Sequence, residues 1–122
     1  MKKIIVILMM VMGIAVFAQT KQELKQDVRD YTGTVQLLMN IYITELESID
    51  LETHTYTNQN AILEEIKKAK SLKKQIDNIA KEMDSGVMDN ATRKELEELK
   101  VVIEYIGNQL MLQIKTVQCL KE

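Results

Sequence analysis

No proline occurs anywhere in the 122 residues. Ordinary usage near 5 % would supply about six. Proline lacks an amide N–H and breaks helix interiors, while it suits turns and loops. A chain without it reads as long helices joined by short connections. The apolar residues agree: they recur in steps of three and four, which gathers them on one face of an α-helix.

The first helix is expected over residues 20–48. Thr20-Lys21-Gln22-Glu23 forms a capping box, in which hydroxyl and carboxylate satisfy N–H groups that lack partners inside the helix. Leu24, Val28, Tyr31, Val35, Leu38 and Tyr42 then line one face. The stretch 37–43, LLMNIYI, is apolar nearly all round, so it must be covered on most sides or leave a patch. Gly33 costs about 1 kcal/mol in a helix interior relative to Ala and is a candidate kink. A strand over 34–44 is the competing reading, because Val, Ile, Thr and Tyr favour strands. No second segment offers to pair with it. Residues 50–59, DLETHTYTNQ, show no period and read as a loop.

Asn60 is the expected cap of a second helix over 61–84, whose narrow stripe is Ile62, Ile66, Ala69, Leu72, Ile76, Ile79 and Met83. Ser85-Gly86 ends it, since Gly accepts the left-handed conformation of helix termini. A third helix is expected over 91–120. Its capping box is Thr92-Arg93-Lys94-Glu95, and its stripe is Leu96, Leu99, Ile103, Ile106 and Leu110. Gln113 interrupts that rhythm before Val117 and Leu120 resume it. Rods of this length reach about 36–45 Å, and short connections make sequential neighbours antiparallel. The expected fold is all-α, an elongated three-helix antiparallel bundle resembling a coiled coil. The wide apolar faces of the first and third helices either form its centre or leave surplus surface for a partner.

The N-terminus reads differently. Lys2 and Lys3 precede an uncharged apolar run, Ile4 to Ala18, with Val16 and Ala18 placed as a signal peptidase requires. This is the pattern of a cleaved secretory signal. Fifteen helical residues span about 22 Å, short of the roughly 30 Å hydrocarbon core. The division is a signal peptide over 1–18 and one helical domain over 19–122. The remainder has 14 basic and 18 acidic residues, a net charge of −4. That mild acidity does not suit nucleic acid, which calls for a basic excess. With the only Phe in the leader and no Trp, the core must be mostly aliphatic.

Leu37, Met39, Ile41 and Ile43 of the first helix, with Val101, Met111 and Leu112 of the third, are the expected interaction surface. Lys67, Lys70, Lys74 and Lys81 share a face of the second helix. That face either meets an anionic partner or is solvated and balanced by acids near its two ends. Cys119, the sole cysteine, either stays a free thiol or pairs between molecules. His54 lies in the polar loop, and Met83 and Met88 are conceivable soft partners for it. They have no ligand spacing, so no metal site is expected. Asn90-Ala91-Thr92 matches a glycosylation triplet, but it coincides with the start of the third helix. Glu64/Glu65 and Glu97/Glu98 are sequence neighbours that diverge by about 100° on a helix.

No catalytic residue, cofactor or metal is therefore expected. The leading expectation is an exported bacterial envelope protein, periplasmic or secreted, non-catalytic and acting by helix-mediated protein–protein interaction. It would serve as an accessory subunit, an inhibitor or a self-associating coiled coil, with a protein or a second copy as partner. The runner-up is a holdase-like chaperone or anionic-surface binder using the lysines. A third is a signal-anchored helical stalk. Nucleic acid is excluded, and membrane contact is not favoured.

Overall fold

The computed structural model describes residues 20–120; the leader and its cleavage point lie outside them. Three helices account for most of that span: α1 (Lys21–Glu47), α2 (Tyr56–Asp84) and α3 (Arg93–Leu120). Short 3-10 turns, Leu51–Thr53 and Val87–Asn90, sit in the two connections. Among the described residues there is no strand, so the stretch 34–44 is helical. The capping box of α3 forms in full, and that of α1 shows its hydroxyl half. The Glu23 N–H donates to the Thr20 hydroxyl at 3.0 Å. At α3 the exchange is reciprocal, with Glu95 N–H to Thr92 Oγ1 at 3.1 Å and Thr92 N–H to Glu95 Oε1 at 3.0 Å.

α2 starts earlier than its apolar stripe suggests. Thr55, not Asn60, is the cap, and its hydroxyl accepts from the Asn58 N–H. The extra turn is invisible to hydrophobic period because its residues, Tyr56 to Gln59, do not enter the core. α2 ends at a glycine with φ 83°, Gly86. A Cβ there would meet the Asp89 carboxylate at 3.0 Å, so both backbone and space favour glycine.

The helices run up, down, up. Arg29 near the start of α1 meets Asp84 at the end of α2, while Glu47 at the end of α1 meets Lys70 midway along α2. α3 runs parallel to α1, with Asp27 beside Lys100 and Val35 opposite Gly107. α1 is the shared member: the closest backbone approaches join it to α3 and to α2, more closely than those two approach each other. At Gly107 a Cβ would lie 3.5 Å from the Val35 side chain, so α3 comes near contact distance there.

The larger core cluster joins Val35, Met39, Tyr42, Ile43 and Leu46 of α1 to Ala69 and Ile76 of α2 and Ile103, Leu110, Ile114 and Val117 of α3. A second cluster, Leu24, Val28, Met83 and Leu96, closes the end where α1 begins. The buried side chains are aliphatic or methionine apart from Tyr42 and Thr32, whose hydroxyl donates to the Val28 carbonyl at 2.7 Å. Each fully buried Leu, Ile or Met contributes roughly 1.5–3 kcal/mol of transfer free energy. The interruption at Gln113 resolves as a four-residue step: Ile114 takes the buried position and Gln113 turns outward.

Candidate interaction surface

Seven residues were expected to form surplus apolar surface, and the structure divides them. Leu37, Ile41, Val101, Met111 and Leu112 are exposed. Met39 and Ile43 are corrected to the core, at 0 % and 8 % exposure. The reason is α1's central place. A helix packed on two neighbours needs two adjacent inward rows. Ile43 lies two turns beyond Gln36, whose amide donates to Asp77 of α2 at 2.9 Å. Met39 fills the gap between that row and the Val35 row facing α3. Tyr31 moves the other way: it is 42 % exposed, with the Lys100 ammonium 5.9 Å from its ring centroid, within cation–π range.

The exposed set is not one patch. Met111 sits on a shallow groove between α1 and α3, of about 210 Å³, with Tyr31, Leu38 and Gly107. Val101 and Leu112 belong to the outer face of α3, directly opposite its buried stripe. Tyr105 joins them there, and all three are more than half exposed. The run Lys94, Glu98, Val101, Tyr105, Asn108, Leu112, Lys115, Cys119 advances in alternating steps of four and three, and every member is exposed. α3 therefore carries two heptad seams, one inward and one outward. The outward seam follows the same spacing as the inward one but is poorer in Leu and Ile, so apolar period alone does not single it out.

The lysine face is real as geometry. Lys67, Lys70, Lys74 and Lys81 are all exposed, and Tyr56 and Leu63 extend the same row towards the start of α2. Charge balance is partial. Lys70 pairs with Glu47 at 3.2 Å and the neighbouring Lys73 with Asp77 at 2.8 Å. Among the described residues, Lys67 and Lys74 form no ion pair. The Asp77 carboxyl is held below the usual carboxylate range, first by its hydrogen bond from Lys73 and then by that from Gln36. Asp84 is lowered likewise by Arg29, which donates from Nε at 2.8 Å.

Two further hollows flank α3, one against the Val87–Asn90 turn and one against the end of α1 and the start of α2. One, about 590 Å³, is lined by Val87, Met88, Ala91, Leu96, Leu99 and Val102 among others. The other, about 260 Å³, includes Leu46, Ile49, Ile62, Val117 and Leu120, with Tyr42 and Glu65 as its polar pair. The Tyr42 hydroxyl donates to Glu65 Oε1 at 2.7 Å. Burial first, then this bond to a carboxylate, raises the phenol pKa well above its ordinary 10.0.

Cys119 is an exposed free thiol on the outer seam of α3. His54 is half-buried just after the first 3-10 turn, its N–H bonded to the Leu51 carbonyl. Among the described residues, no group of three or more His, Cys, Asp or Glu side chains is placed to hold a metal. Asn90 ends the second 3-10 turn and Thr92 caps α3, so the triplet has a full structural account. No helix of the described residues is long and apolar enough to cross a membrane.

Fold and surface together define a class: an all-helical three-helix bundle with apolar and basic rows facing outward. Comparison with protein-family models, with curated proteins and with solved structures found no match.

Proposed function

We propose that this chain is an exported, non-catalytic protein of a bacterial envelope, periplasmic or secreted, that acts by protein–protein contact through its outward helix faces. The observation that carries this reading is the outer seam of α3. Val101, Tyr105 and Leu112 are 68 %, 62 % and 58 % exposed, although the fold already has an inward seam on the same helix. Single exposed apolar residues need no explanation, whereas an aligned set suits a contact site. The N-terminal apolar run supports export.

In-cell photo-cross-linking tests the reading. A photoreactive residue at Leu112 or Val101 is expected to give adducts of discrete mass, and one at Glu82 on α2 is not. Absence of adducts from both α3 positions would contradict it. N-terminal sequencing of the exported product is expected to start at Gln19; an intact leader would favour a membrane-anchored stalk.

A second reading draws on α2. Two lysines without ion pairs, in one row with Tyr56 and Leu63, suit an acidic client or an anionic surface. Flotation with anionic vesicles would then fall steeply with added salt, because exposed charges are screened. Flotation indifferent to salt would remove this reading.

A further inference from the structure

The outer seam of α3 has an internal complementarity that points to its occupant. Written as a heptad, Glu98, Tyr105, Leu112 and Cys119 take one inward-facing position of a second coiled coil, and Lys94, Val101, Asn108 and Lys115 take the other. All are exposed, and among the described residues neither Glu98 nor Lys115 is committed to an ion pair within the chain. In a parallel, in-register pairing of two such seams, like residues face each other. Glu98 would meet Glu98, and both Lys94 and Lys115 would meet their own copies, which costs stability at each level.

Reversing one seam removes every one of those conflicts. Antiparallel coiled coils place one core position against the other. A single register then sets Glu98 against Lys115, Val101 against Leu112 and Tyr105 against Asn108, with each pair repeated by the two-fold axis. Acid meets base, aliphatic meets aliphatic, and a phenol meets an amide that accepts and donates hydrogen bonds. A polar residue such as Asn at a core position fixes register. The flanking rows raise no objection: Glu104 falls opposite Met111, and Glu97 opposite Gln118.

We infer that the occupant is a second copy of this chain, docked antiparallel along the outer seam of α3, with Glu98 facing Lys115 and Val101 facing Leu112 of the second copy. This rests on the interaction reading above and names its partner. The register also places Cys119 opposite Lys94 of the second copy. The two Cys119 thiols are then about 37 Å apart, the length of 25 helical residues, beyond the reach of a disulfide.

That separation supplies the test. The exported chain is expected to sediment as a dimer and to form no disulfide-linked dimer under mild oxidation. Lys94→Cys is expected to give a disulfide-linked dimer through native Cys119, and Lys94→Cys with Cys119→Ser to give none. Glu98→Lys should weaken dimerisation roughly tenfold or more, and adding Lys115→Glu should restore it. All these positions are exposed, and unchanged circular-dichroism spectra confirm that the variants fold. A monomeric wild-type chain overturns the pairing, as does a wild-type disulfide through Cys119 or a Lys94→Cys variant that does not cross-link. If the pure chain is monomeric but Leu112 still gives adducts with other proteins in cells, the self-pairing falls and the interaction reading stands. No adducts from either α3 position overturns both.

Discussion

Single residues explain why the rods begin and end where they do. Thr92 and Glu95 exchange two hydrogen bonds at the start of α3; the Thr92 backbone N–H donating to the Glu95 carboxylate lowers the Glu95 pKa, and the Thr92 side chain acting on the same carboxylate adds to it. Thr92→Ala removes the accepting hydroxyl and should cost about 1 kcal/mol, read by chemical denaturation. The titrating groups set a pH window. Asp77, Asp84 and Glu95 are depressed in the folded chain, so it binds their protons less tightly than the unfolded chain does. Their contribution is present above the ordinary carboxylate range, near pH 4, and is lost as pH falls through the folded values. Tyr42 is raised, so its contribution is present below about pH 10 and is lost as pH climbs towards the folded value. Thermal melts should show a plateau between these limits. Tyr42→Phe should flatten the alkaline limb and leave the acid limb in place; an unchanged alkaline limb would contradict the role given to Tyr42.

At the scale of elements, periodicity located all three helices but not every edge or every face. The inward stripes of α2 and α3 were readable because long four-three spacing has one simple solution in a helix. The first turn of α2 was not, since Tyr56 to Gln59 stand outside the core and carry no period. Met39 and Ile43 were misplaced because a sequence does not reveal how many neighbours a helix has. α1 touches two, so its buried face is about twice as wide as one stripe. Gly33 does not interrupt α1, and a Cβ there would rest 3.5 Å from an Arg29 side-chain nitrogen, ordinary contact. Gly33→Ala should therefore stabilise by roughly 0.5–1 kcal/mol. Ile103 is fully buried between the helices, and Ile103→Ala should cost about 2–5 kcal/mol. Denaturant midpoints measured at constant slope check both signs.

For the whole molecule, inner and outer faces have separate tasks. The inward rows bury Val28, Met39, Ile76, Ile103 and Leu110 and account for the fold. The outward rows of α2 and α3 do not enter either core cluster. How the helices assemble followed from spacing and caps. What the surface meets was less legible, because exposure is decided only once α1 has chosen its neighbours. The most direct test is a thermal melt of Val101→Lys/Leu112→Lys beside the wild type, at a dilution that keeps both monomeric. If the outer seam serves contact alone, the midpoints should agree to within about 4 °C, the shift expected of surface substitutions worth at most half a kcal/mol or so. A fall well beyond that, or loss of the helical spectrum at room temperature, would place the seam inside the fold and contradict the division between the two faces.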